Sequence, residues 1–260
     1  MKKQHIYILF GLLMTMLSCK KASFIDYQDV DRLQFGPPDP EKIYWSDYEK
    51  TWKWADTTKS YSFYFEAPKI VQDTLYFDLY TLGQIADFDR PFKLVQKAVA
   101  GAENAVAGKH YLAFDNEKAK SLYVVKAGQS HLRVPIVLLR DASLKEKPYT
   151  LYLELAPNEH FQPGPSTNIW RKAIIADRLL QPSAWTDDAA RYYWGKYSTV
   201  KHQFMIDATD LLWDQSMMEN LAYDETNYYK AELKKALADY NAKHPGNPLT
   251  DEFNELVIFP

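Results

Sequence analysis

Leu75-Tyr76-Phe77-Asp78-Leu79-Tyr80 decides the fold class. Leu75, Phe77 and Leu79 alternate with Tyr76, Asp78 and Tyr80. A period of two over such a run marks a strand with one buried face. The pattern recurs on both sides. Ahead of it, Tyr61, Phe63 and Phe65 alternate with Ser62 and Tyr64. Behind it, residues 92–95, 122–125, 132–139 and 149–155 read as further strands. Pro135 lies inside one of them and predicts an edge position or a bulge, because proline cannot donate to the ladder. Residues 170–180, with Ala173-Ile174-Ile175-Ala176, read as a closing strand. Strands at this spacing, without helical patterns between them, predict an antiparallel β-sandwich.

Beyond Pro182 the period becomes helical. Thr186 is a candidate cap, with Asp187 and Asp188 in the first turn, where the helix dipole favours acids. A second helix is expected to start near Ser198. A third, capped by Asp224 and running to about Ala242, puts Tyr229, Leu233, Ala236, Leu237 and Tyr240 on one stripe. His244-Pro245-Gly246-Asn247-Pro248 ends it. The expected class is therefore mainly β with α: a sandwich domain over residues 41–181, then a mainly helical region over 182–260.

The amino terminus carries a different signal. Lys2 and Lys3 precede the uncharged run 6–17, and Ser18 stands before Cys19. This is the pattern of a signal peptide over residues 1–18, with an apolar run too short to stay in a bilayer as a spanning helix. Cys19 is the only cysteine of the chain, and acylation gives an odd cysteine in an exported protein a use. Residues 19–40 then read as a lipidated tether ending in Gly36-Pro37-Pro38-Asp39-Pro40, with a strand at residues 32–35 left open. Cleavage ahead of Cys19 moves the formal charge from −3 to −5. A mildly acidic surface argues against nucleic acid as a partner.

Two segments carry a resemblance. One is residues 73–95, with Gly83 and Asp87-Phe88-Asp89-Arg90-Pro91-Phe92. The other runs from Ala107-Gly108-Lys109-His110-Tyr111 through Ala127-Gly128 to Arg140-Asp141 and residues 149–155. With Trp194-Gly195-Lys196-Tyr197-Ser198 and Lys201, they resemble a family of Bacteroidetes lipoproteins of unknown function, often encoded beside starch-utilisation-type uptake pairs. The resemblance implies an outer-membrane location and an uptake complex as partner, and brings no catalytic residues. Lysines follow Cys19, whereas acids there favour export to the outer face in this bacterial group, so the side of the membrane stays open. Residues 108–155 also resemble the second half of a Calx-beta domain, which implies an immunoglobulin-like sandwich. Some Calx-beta domains bind calcium through clustered acids. Here the loop offers Asp141 and Glu146 among Arg140, Lys145 and Lys147, a poor match to calcium's need for six or more oxygens.

The candidate ligand platform is the aromatic run Tyr44, Trp45, Tyr48, Trp52 and Trp54, set among Asp47, Glu49, Lys50 and Lys53. Sugars present flat C–H faces that stack on such rings. The competing reading packs the rings over the sandwich as core. Asp87, Asp89 and Arg90 are read as fixing a turn through charge-assisted hydrogen bonds. The histidines after the signal peptide are scattered, with no paired-ligand spacing, so no metal or other cofactor is expected. No nucleophile elbow occurs. The expectation is a non-catalytic envelope lipoprotein that binds a glycan or polymer. The alternatives are a structural or adhesive protein and a hydrolase with dispersed carboxylates.

Overall fold

The computed structural model describes residues 29–37 and 57–260. Apart from Asp29 and Val30, these fall in one unit, Asp31–Pro260. Two four-stranded sheets face each other. The first has the order β7-β3-β1-β9, formed by β7 (His131–Leu139), β3 (Gln72–Leu82), β1 (Arg32–Gly36) and β9 (Gln162–Pro163). The second has the order β2-β10-β8-β5, formed by β2 (Thr58–Ser62), β10 (Trp170–Ala176), β8 (Tyr149–Ala156) and β5 (Lys93–Lys97). β4 (Arg90–Pro91) and β6 (Val124–Val125) make a small separate pair.

The alternation sets the core. Phe77 and Leu79 of β3, Val134, Ile136 and Leu138 of β7, Leu151, Leu153 and Leu155 of β8, and Ala173 and Ile175 of β10 all point into one apolar cluster between the sheets. Pro135 stands opposite Tyr76 on β7, an edge strand, as a residue without an N–H requires.

Two expectations are corrected. The sandwich is not wholly antiparallel: β1 pairs parallel with β9, and β2 parallel with β10. The alternating Tyr61–Phe65 segment is not one strand, because Phe63–Phe65 forms a 3-10 turn. Ser62 ends β2 by accepting the Tyr64 N–H at 3.1 Å, and this cap competes with the ladder. The strand left open at residues 32–35 is present as β1, in the interior of the first sheet.

A short turn α1 (Glu117–Lys120) interrupts the sandwich. After β10 come α2 (Asp187–Ala189), a π-helical turn over Ala190–Trp194, α3 (Thr199–Thr209), α4 (Gln215–Asn220) and α5 (Tyr223–Lys243). Thr186 and Ser198 cap α2 and α3. The cap of α5 is Ala222 rather than Asp224, and Glu225 accepts the Ala222 N–H at 2.9 Å. Trp185, Trp194, Trp213, Met205, Leu233, Leu237, Val257 and Phe259 form a second core. This core meets the sandwich where Ser62 Oγ donates to Arg178 O at 2.6 Å, where Tyr64 donates to Gln203, and where Phe65 lies 6.4 Å from His202. Among the described residues, no helix is long and apolar enough to cross a membrane.

Candidate functional site

The 3-10 turn that replaces the expected strand opens a cleft at this junction. Ser60, Tyr61, Phe65 and Glu66 form one wall, Gln181 another, and Asp214, Gln215 and Ser216 at the start of α4 the third. The enclosed volume is about 220 Å³, below the roughly 300–1,000 Å³ of sites for drug-sized ligands. Such a cleft takes one small unit of a ligand at a time.

Most polar groups here are already committed. Tyr61 donates to Asp73, and burial together with that carboxylate holds its hydroxyl protonated far above the ordinary tyrosine range. Asp214 Oδ1 accepts the Met217 N–H at 2.8 Å and caps α4. Gln181 Nε2 donates to Trp185 O at 3.1 Å. The Glu66 carboxylate and the Ser60 and Ser216 hydroxyls make no hydrogen bond or ion pair among the described residues, so they are the groups open to a ligand, with Arg140 within electrostatic reach of Glu66. Phe65 and Tyr61 supply ring surface beside them.

A second cluster looks catalytic and is wired otherwise. His110 Nε2 lies 2.9 Å from Ser143 Oγ, which donates to Asp141 Oδ1 at 2.6 Å. His110 Nδ1 accepts the Val106 N–H at 3.1 Å, so the ring proton sits on Nε2 and points at the serine. The imidazole therefore has no lone pair with which to take the serine proton. The cluster locks the turn before Tyr111 to the 3-10 turn Ala142–Lys145, and hydrogen bonds from Ser143 hold Asp141 below the usual carboxylate range.

His110 and His202 are both fully buried. His202 donates to Trp213 O at 3.0 Å inside the second core. Burial pushes both imidazoles below the ordinary histidine value, with Lys109 adding to the effect at His110. Asp141 near His110 and Asp214 near His202 oppose it. A depressed folded pKa means that the unfolded chain takes up protons first, so stability is full above about pH 6.5 and falls as the pH drops below it. The melting temperature should decline between pH 7.5 and pH 5, before most carboxylates titrate. Both imidazoles should titrate below the ordinary histidine value when followed by NMR. Protonation of either ring at or above pH 6.5 would refute this.

The remaining sequence candidates divide clearly. Asp89 fixes its turn, with Oδ2 2.7 Å from Lys126 Nζ and Oδ1 accepting the Ala127 N–H at 3.0 Å. Arg90 is buried, paired with Asp31 at 2.5 Å and 4.5 Å over the Phe161 ring. Among the described residues, no group of three potential metal ligands comes together. Cys19, Tyr44, Trp45, Tyr48, Trp52 and Trp54 lie outside the described residues. The sequence reading missed Glu66 and its cleft. Its one local signal was Ser62 ahead of three aromatic residues, a cap that reads equally as strand alternation.

The fold is that of a two-sheet β-sandwich carrying a helical region at its carboxyl-terminal end. The chain belongs to the family described as a domain of unknown function (DUF4843), whose model matches residues 40–211. No curated protein matches the sequence. Among solved structures, the chain is similar to the CBD12 segment of CALX1.2, at 13% identity and a TM-score of 0.33, covering 56% of this chain and 44% of that one. It is also similar to a two-domain protein of unknown function from Bacteroides fragilis, at 11% identity and a TM-score of 0.34, covering 56% and 45%. A third is a Bacteroides ovatus protein to which carbohydrate binding is provisionally assigned, at 7% identity and a TM-score of 0.35, covering 57% and 37%. The chain thus spans less than half the length of each of these proteins.

Proposed function

We propose that this protein is a non-catalytic lipoprotein of the outer membrane, held by a lipid on Cys19. Its immunoglobulin-like sandwich and helical region together bind a glycan or a related polymer, as an accessory to an uptake complex. The observation that carries the ligand class is the composition of the junction cleft. Ring surface from Phe65 and Tyr61 stands beside one unpaired carboxylate, Glu66, and two unpaired hydroxyls, Ser60 and Ser216. Sugars need this combination, an apolar face for C–H groups and acceptors for hydroxyls. The non-catalytic reading is supported by Asp214, whose Oδ1 is committed to capping α4. That leaves Glu66 as the free acid of the cleft, where glycoside hydrolysis ordinarily uses two. The aromatic run with Tyr44, Trp45, Trp52 and Trp54 is a second candidate platform for the same polymer.

The test is a polysaccharide array probed with the soluble form that starts after Cys19. Glu66→Ala should weaken glycan binding about tenfold, the worth of one hydrogen bond to a charged group. Trp52→Ala/Trp54→Ala should weaken it separately. Retention of no glycan at all would favour the structural or adhesive alternative, and release of product would favour the hydrolase. The anchor has its own test: Cys19→Ala should leave the chain without acyl groups and outside the membrane fraction.

A further inference from the structure

A second cavity lies at the opposite edge of the second sheet, away from the junction. It is bounded by the start of β5 on one side and by the segment around α1 on the other, with a volume of about 310 Å³. Its walls are Phe92, Leu94, Phe114 and Tyr123. The rings pack edge to face, with Phe92 and Phe114 each 5.8 Å from Tyr123. This is the size and apolar character of a small-molecule site.

Tyr123 sets the chemistry. The residue is 3% exposed, yet its hydroxyl makes no hydrogen bond among the described residues. Its neighbour Tyr111 is different, because that hydroxyl donates to Gln96 Oε1 at 2.8 Å. The ring is buried while the hydroxyl stays open, since it is not among the buried polar atoms that lack a partner. The Tyr123 hydroxyl is the donor that a ligand in the cavity would meet. Burial also raises its pKa, which keeps the proton available for donation. At the rim, Lys93 has no anionic partner among the described residues, whereas Lys120 is held by Glu117 at 2.6 Å. Asp115 also borders the cavity; it makes no ion pair among the described residues, although Lys120 feels its charge.

We infer that this cavity binds a small apolar molecule bearing a carboxylate, such as an aryl acid. The ring or chain lies among Phe92, Leu94, Phe114 and Tyr123. The carboxylate accepts from the Tyr123 hydroxyl and faces Lys93. In this arrangement Asp115 is an opposing charge.

The probe is phenylacetate, titrated by calorimetry into the full chain reconstituted in lipid nanodiscs, with empty nanodiscs as the blank. Saturable one-to-one binding is expected, and the uncharged analogue 2-phenylethanol should bind less well. Tyr123→Phe removes a hydroxyl that holds nothing in the fold, and should weaken phenylacetate about tenfold. Lys93→Gln should weaken it about threefold, as befits an exposed charge. Asp115→Asn should tighten it about twofold. Three results would overturn the inference: no saturation at millimolar phenylacetate, affinity unchanged in Tyr123→Phe, or weaker binding in Asp115→Asn with phenethylammonium preferred. Glu66→Ala should leave phenylacetate binding intact, so this site can fail or stand independently of the junction cleft.

Discussion

Arg140→Ala should cost about 3–5 kcal/mol of stability, the usual loss when one partner of a buried ion pair is removed. Every donor of this guanidinium is in use. Nε and Nη2 reach the two oxygens of Asp177 at 2.9 and 2.7 Å. Nη1 donates to Ala67 O at 3.0 Å and Ile70 O at 3.2 Å, and Nη2 also donates to Phe63 O at 3.0 Å. The group lies 5.6 Å from the centre of the Phe63 ring. One side chain at the end of β7 thus ties down the 3-10 turn, the loop after it and the end of β10. Asp177 is 3% exposed at its side chain, so truncating Arg140 leaves a buried carboxylate unpaired and takes the second donor from Phe63 O and Ala67 O, which keep the Glu66 and Ile70 N–H groups. For a chain of this size the melting temperature should fall by about 10 °C. Arg140→Lys should recover only part of this, because an ammonium cannot reproduce the two-point fork. A drop below about 2 °C in Arg140→Ala would show that the network contributes little. Because the same turn carries Phe65 and Glu66, Arg140→Lys should also weaken any glycan bound in the cleft.

The sandwich strands were legible where one face is dry and the other wet. Residues 149–155 alternate for that reason, whereas in residues 75–80 the polar alternates Asp78 and Tyr80 are buried as well. β1 did not announce itself, because Leu33, Gln34 and Phe35 are all buried and leave no alternation to read. The parallel pairs β1–β9 and β2–β10 join residues more than a hundred positions apart, and local periodicity carries no record of such partners. The switch to helix after Pro182 was visible in the caps Thr186 and Ser198, whose side chains accept backbone N–H groups. α4 was missed, although Asp214 is a regular cap for it. Its six residues are too few to show a helical stripe.

The candidate site was less legible than the fold. The junction cleft draws on residues 60–66, 181 and 214–216, three segments that only the packing of the helices onto the sandwich brings together. No spacing rule links Glu66 to Ser216. The aromatic run was read from local density alone, and the residues that carry it lie outside those described. The Asp141–Ser143–His110 chain shows the reverse hazard. Its members suit a hydrolase by type, but a single backbone donor, the Val106 N–H, fixes the imidazole tautomer that forbids general-base action.

Gly195→Ala should be the costliest single-methyl addition among the described glycines, at about 3 kcal/mol. Gly195 follows the π-helical turn and donates to Ala190 O at 2.8 Å, with φ 76° and ψ −178°. That region of backbone space is essentially closed to residues with a Cβ. Space is closed as well: a Cβ would stand 2.7 Å from Ile258 O and 2.7 Å from Lys201 Nζ. The Lys201 ammonium could swing away only by leaving Lys196 O, which it holds at 2.7 Å. Burial has already pushed its pKa down to about 8, a sign of how few alternatives surround it. Ile258 O is backbone, flanked by Val257 and Phe259, which are both buried in the second core. Moving it unseats them. Gly246 supplies the control. Its φ is 80°, yet a Cβ there meets nothing within 4 Å. Gly246→Ala therefore isolates the backbone strain, about 1 kcal/mol, and the excess in Gly195→Ala measures the collision. Urea unfolding of the two variants gives both numbers, and equal losses would mean that the carboxyl-terminal segment yields freely around Gly195.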